Sequence, residues 1–261
     1  MWAAVIVAAG SSRRAGFDKL AAPLGGQPVL RRSVQAFIEA GCGTIVVVCP
    51  PERWEATGLA EMAARLSSAP GAPEAPDAPD AAEAPKAPGM PCPPRAPRCS
   101  LLRVDGGAER QDSVAAGLAA LPAELRWVAV HDGARPLIEP AGILRCLQAA
   151  EATGAAACAH PVVDTLKRAD AEGRSLPERV SRERLWAMET PQIFRADLLR
   201  RAYEELRRRG ESVTDEVSAM EFLGVPTSLV SVGPNLKITL PGDLELAELI
   251  WSHRAAAGAE S

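Results

Sequence analysis

The chain has 261 residues, 47% of them hydrophobic, enough to bury a substantial core. Its 29 Lys and Arg against 33 Asp and Glu leave a formal net charge of −4, which argues against nonspecific nucleic-acid binding as the main task. The longest apolar runs fall well short of a bilayer span and no basic segment precedes an apolar stretch at the start, so a soluble cytoplasmic protein with no membrane or nucleic-acid partner is expected.

In chain order, WAAVIVAA is a continuous apolar run of the kind a central parallel strand requires, and VLRRSVQAFIEAG follows with helical periodicity closed by a glycine. TIVVVCP is a second buried strand, and EATGLAEMAARL a further helix. Residues 69–98 then break the pattern: ten of the 23 prolines fall there, with almost no large apolar residue. Such a stretch cannot offset its ordering entropy by burial, so a disordered insertion is expected within a single domain spanning residues 1–253, with 254–261 as a tail. Beyond it, LLRVDGG and WVAVHDGARP are strands that end in polar loops, with DSVAAGLAAL helical between them. AAACAHPVVD, the helix ADLLRRAYEELRRRG, the strand TSLVSVG and the terminal helix PGDLELAELIWSHRAA complete the order. Strand and helix alternate, which predicts a three-layer, Rossmann-like α/β fold: a mostly parallel central sheet with helices on both faces and a ligand crevice beyond the carboxyl ends of the strands. The six cysteines form no CxxC pair and no metal-like alternation with the three histidines, so reduced, buried thiols are expected.

Three strand-end loops carry the densest polar clusters: AAGSSRRAGFDK, DGGAERQDS and HDGARP. In the first, Gly10, Ser11 and Ser12 permit a tight turn whose N–H groups point at an anion, while Arg13 or Arg14 and Lys19 supply fixed positive charge. No GK[ST] ends the loop, so it is not a Walker P-loop, and the missing middle glycine disfavours a nicotinamide dinucleotide. A lysine and an arginine flanking one phosphorus are what nucleotidyl transfer requires, because charge builds on the nonbridging oxygens and the leaving pyrophosphate. The loop resembles the signature of nucleotidyltransferases. Ser12 stands where the cytidylyltransferase form AAGxGxRM has its second glycine, and the same stretch is as similar to molybdenum-cofactor guanylyltransferases, so this loop alone leaves the base open.

Later motifs separate the candidates. VDGGAERQDSVAAGL, VHDGARP, PVVDTLKR, ETPQIF, VTDEVSAME and NLKITLPGDLELAE occur in that order and together closely resemble the 2-C-methyl-D-erythritol 4-phosphate cytidylyltransferase family. The resemblance implies that Arg14 and Lys19 stabilise the transition state at the α-phosphorus of CTP, and that Ala8, Ala9, Gly10, Gly107, Arg110 and Ser113 form the nucleotide pocket. It implies that Asp132 holds Mg²⁺ or another divalent cation against the triphosphate. Thr165, Arg182, Thr214 and Lys237 match the residues that position methylerythritol phosphate, with Thr165 and Arg182 on an extended arm that dimerises, so a homodimer with shared sites is implied. Asp112 reads as a helix cap, His131 as a packing residue, and Gly133 and Ala134 as N–H donors to substrate; Arg135 either touches the site or braces the loop. The implied reaction is in-line displacement by the acceptor phosphate, which is already ionised and needs no general base. A ribitol 5-phosphate cytidylyltransferase is the nearer alternative, and a noncatalytic nucleotide-binding protein the farther one.

Overall fold

A computed structural model describes residues 1–10, 17–68 and 99–259. Ser11, Ser12, Arg13, Arg14, Cys92 and the expected proline-rich insertion lie outside the described residues.

The chain opens with β1 (Trp2–Val7), the two-residue strands β2 (Pro23–Leu24) and β3 (Gln27–Pro28), α1 (Val29–Glu39) and β4 (Thr44–Val48). Next come α2 (Pro51–Ala56), α3 (Leu59–Ser68), β5 (Ser100–Val104), α4 (Arg110–Ala119) and β6 (Trp127–Asp132). The second half holds α5 (Pro140–Thr153), β7 (Ala155–Pro161), β8 (Trp186–Arg195), α6 (Ala196–Arg209), α7 (Glu216–Glu221), β9 (Ser228–Val230) and α8 (Pro241–Ala259). The central sheet runs β5-β4-β1-β6-β8-β7-β9. Its first four strands are mutually parallel, β8 is antiparallel to both neighbours, and β9 is parallel to β7.

The period-2 alternation of each buried strand divides the core between the sheet's two faces. On β1, Ala4 and Ile6 join Ile45, Val47 and Ala129 under α1, α3, α5 and α8, whereas Ala3 and Val5 join Val46, Val48, Val128 and Val130 under α4, α6 and α7. Helix α1 meets its face through Val29, Leu30, Val34 and Phe37, a helical stripe whose fully buried members each contribute about 1.5–3 kcal/mol. The α/β class, the mostly parallel sheet and its two helical layers are as expected.

Three elements differ from expectation. EATGLAEMAARL is two helices, because Gly58 at φ +67° turns the chain between α2 and α3. Neither α5 nor β8 is among the expected elements; in β8, Pro191 interrupts an otherwise strand-like run and, lacking an N–H, disfavours a central ladder. Residues 162–185, between β7 and β8, are the stretch in which the arm is expected. It is closed at its base by Val162 N–H donating to Leu185 O (2.9 Å) and carries one isolated bridge, Ala169–Ser175.

Candidate active site

Strands β4, β1 and β6 end level with one another: Val7 is in register with Val48 on one side and with Asp132 on the other. The ladder runs one step past the strands, with Ala8 N–H donating to Val48 O (2.8 Å) and Gly133 N–H to Val7 O (2.9 Å). The loops that follow β1, β5 and β6 therefore open over one cavity of about 640 Å³, which Lys237 enters from the segment after β9. Gly133 spends its N–H on Val7, so it does not offer that N–H to a substrate, correcting the expectation for this residue.

Asp132 is the electrostatic centre of the cavity. One carboxylate oxygen accepts from Lys237 Nζ (2.6 Å), the other from Arg110 Nε (3.3 Å). Burial alone would push the Asp132 carboxyl up; the two cations outweigh burial and hold it well below the usual carboxylate range. Arg110 in turn forms a bidentate pair with Glu216 (2.8 and 3.0 Å), whose side chain is 0% exposed, and Tyr203 Oη donates to the same carboxylate (3.0 Å). Burial tends to lower the Arg110 pKa, but Glu216 and Asp132 raise it above its ordinary value. Glu216 opens α7, and Gln192 of β8 fixes that helix start by accepting from Glu216 N–H and Val217 N–H (both 3.1 Å). Arg110 thus lines the cavity while paired with two carboxylates.

The wall opposite is backbone. Ser113 Oγ accepts from Gly107 N–H (3.1 Å) and donates to Glu109 O (3.2 Å), folding the loop after β5 onto the start of α4. Asp112 accepts from Glu109 N–H (3.1 Å), the capping role expected of it. Gly106 passes so close to the β1 exit that a Cβ there would lie 2.4 Å from Ala9 Cβ. Lys19 reaches the cavity from a turn in which Ala21 and Ala22 N–H both donate to Asp18 O (3.1 Å).

Below the loop after β6, His131 is fully buried, its ring 5.1 Å from that of Phe37. Its Nε2 donates to Arg135 O (3.2 Å), and its Nδ1 accepts from Thr190 Oγ1 (3.1 Å), which itself accepts from Asp132 N–H (3.0 Å). Arg135 donates to Asn235 O (2.7 Å), so of its two open readings the loop brace is the one realised.

Comparison with known proteins decides the family. The sequence pattern described as "IspD: 2-C-methyl-D-erythritol 4-phosphate cytidylyltransferase" matches residues 94–253. A protein of that name from Prochlorococcus marinus (strain MIT 9313) is 36% identical over 96% of this chain and 98% of its own length. Another, from Ralstonia nicotianae, is 40% identical over 99% and 94%. The crystal structure of the Thermus thermophilus 2-C-methyl-D-erythritol 4-phosphate cytidylyltransferase superposes with a TM-score of 0.66 at 31% identity, covering 97% of this chain and all of that one. The chain belongs to this cytidylyltransferase family. Residues 4–84 also match a pattern described as "MobA-like NTP transferase domain", in keeping with a first loop that resembles two kinds of nucleotidyltransferase at once.

In this family member the cavity brings together Ala8, Ala9, Gly10, Lys19, Gly107, Arg110, Ser113, Asp132 and Lys237, which are distributed over four separate segments. Thr165 and Arg182 line a separate cavity of about 760 Å³ within the arm, where Arg182 donates to Val163 O. Thr214 is exposed and precedes Asp215, whose carboxylate accepts from Ser218 N–H (3.0 Å) at the start of α7. Glu216, Tyr203 and Gln192 are not among the site residues the sequence singles out, although Glu216 and Gln192 lie inside the VTDEVSAME and ETPQIF motifs. Among the described residues no three His, Cys, Asp or Glu side chains gather as a metal cluster, and the carboxylates that line this cavity are those of Asp132 and Glu109. That donor set suits Mg²⁺, which takes one or two carboxylates and completes its shell with phosphate oxygens and water.

Proposed function

We propose that this enzyme transfers CMP from CTP to 2-C-methyl-D-erythritol 4-phosphate, giving 4-diphosphocytidyl-2-C-methyl-D-erythritol and pyrophosphate in non-mevalonate isoprenoid synthesis. The observation that carries the reading is the convergence of Lys19, Lys237 and Asp132 on one cavity of a chain in this family. Two anions must meet there, and the lysines that line the cavity lower their repulsion at contact distance. Lys19 stabilises charge on the α-phosphorus and the leaving pyrophosphate, a role that the family resemblance gives also to Arg14. Lys237 steers the attacking phosphate, and its bond to Asp132 holds it at the cavity wall. Ala8, Ala9, Gly10, Gly107, Arg110 and Ser113 seat the nucleotide, and Arg110 also pairs with Asp132. Asp132 would hold Mg²⁺, which when bound neutralises triphosphate charge.

Thr165, Arg182 and Thr214 position the acceptor. The arm leaves Val163 73% and Leu185 39% exposed in a single chain, which supports a homodimer in which each arm completes its partner's site. The buried free thiols Cys42, Cys49, Cys99, Cys146 and Cys158 support a reducing, cytoplasmic setting. The test is turnover of CTP with methylerythritol phosphate in the wild type and in Lys19→Ala. We expect chelation of divalent metal to stop the wild type and Mg²⁺ to restore it, and Lys19→Ala to lose at least about tenfold in kcat. A smaller loss overturns the role given to Lys19.

A further inference from the structure

Arg53 lies on the short helix α2, outside every motif described above, yet its side chain is only 9% exposed. Buried arginines persist where their donors are matched, and the partners of this one are specific. Its Nη1 donates to Ala8 O and to Gly10 O (3.1 Å), and its Nε pairs with Asp18 Oδ2 (3.2 Å). One guanidinium therefore ties the residues that lead into the first loop to the residue that leads out of it. Asp18 passes the restraint on: its other carboxylate oxygen accepts from Leu20 N–H (3.2 Å), and its carbonyl accepts from Ala21 and Ala22 N–H, fixing the turn that sends Lys19 into the cavity.

We propose that Arg53 is a positioning residue for nucleotide binding and α-phosphoryl chemistry. It rests on the function proposed above and adds a group that never touches substrate. Its effect is twofold. The carbonyl oxygens of Ala8 and Gly10 are drawn onto a cation, which removes two acceptors that would repel a triphosphate. The Asp18 arm of the clamp sets where Lys19 stands, and misplacement of a catalytic group by about 1 Å costs on the order of 100-fold in rate.

The experiment uses the full-length enzyme carrying Arg53→Met, Arg53→Lys or Asp18→Asn. Pyrophosphate release is measured with CTP and methylerythritol phosphate, calorimetric titration with CTP and, separately, GTP, and each variant is melted thermally. Arg53→Met is expected to raise KM for CTP and lower kcat, at least about tenfold in kcat/KM, with KM for the acceptor within about twofold of wild type. Arg53→Lys cannot form the forked contact and should recover only part of the loss. Asp18→Asn keeps the carbonyl contacts and should lower kcat more than it raises KM for CTP. Should Arg53→Met fail to fold, Asp18→Asn and Arg53→Lys carry the test. Wild-type kinetics in folded Asp18→Asn and Arg53→Lys overturn the proposal, as does a loss shared equally between nucleotide and acceptor. The wild type's own choice of nucleotide and acceptor reports on the proposed function independently of how the variants compare with it.

Discussion

Lys237 Nζ lies 2.6 Å from the Asp132 carboxylate, a pair drawn from positions 105 residues apart and held in the wall of the cavity. Lys237 is 39% exposed, so solvent screens the pair and its share of fold stability is small. Its importance lies in where it puts a positive charge. Lys237→Ala should lower kcat/KM for the acceptor by about 100- to 1,000-fold, as removal of a transition-state donor does, while leaving the thermal midpoint nearly unchanged. Steady-state kinetics with varied acceptor, beside a melting curve, check both halves.

The charge behind Asp132 is different in kind because it is buried. Glu216→Gln leaves the Arg110 guanidinium without its bidentate carboxylate and is expected to cost about 3–5 kcal/mol of stability. Tyr203→Phe removes only one donor to that carboxylate and should cost about 1–2 kcal/mol. Denaturant titration of the two variants should return this order, with the larger loss of CTP affinity in Glu216→Gln.

His131 makes stability depend on pH. Burial lowers its pKa from 6.5 to about 4, against a smaller opposing pull from Asp132. The folded state therefore holds the ring neutral, with Nδ1 accepting from Thr190, while the unfolded chain takes up a proton below about 6.5. The contribution is fully present above that pH, declines as pH falls to about 4, and amounts to roughly 3 kcal/mol across the window. Unfolding free energy measured from pH 7 to pH 4 should fall accordingly, and His131→Asn should flatten that part of the profile.

The parallel half of the sheet is legible because β1, β4 and the start of β6 are apolar runs, and the polar loops after β1, β5 and β6 mark where Lys19, Gly107 and Asp132 meet. The buried brace is not. Glu216 begins a six-residue helix with no periodicity to recognise, and its partners Arg110, Gln192 and Tyr203 come from three other elements. A carboxylate in a sequence carries no sign of the burial that pairs it. Arg53 escaped for the same reason, since only the fold brings α2 against both flanks of the first loop.

Gly106 tests how closely the β1 and β5 exits must approach. A methyl group there would meet Ala9 Cβ at 2.4 Å and Ser113 Oγ at 2.9 Å, so one loop has to retreat. Gly106→Ala is expected to weaken CTP binding by about tenfold or more, with a stability loss of about 1–3 kcal/mol, read by calorimetric titration and melting.

The proposed homodimer with shared sites predicts complementation. Lys19→Ala and Arg182→Ala should each be nearly inactive alone, and mixing them under subunit exchange should restore up to about a quarter of wild-type activity through the one intact site of each mixed dimer. A sum no greater than the separate activities places Arg182 and Lys19 in sites of the same subunit.

Pyrophosphate release crossed over CTP and GTP, with methylerythritol phosphate and ribitol 5-phosphate as acceptors, tests the enzyme's pairing of nucleotide and acceptor most directly. Rapid release with CTP and methylerythritol phosphate, and little with the other three combinations, is the predicted result. Turnover with GTP but not CTP, or with ribitol 5-phosphate in preference to methylerythritol phosphate, would contradict it.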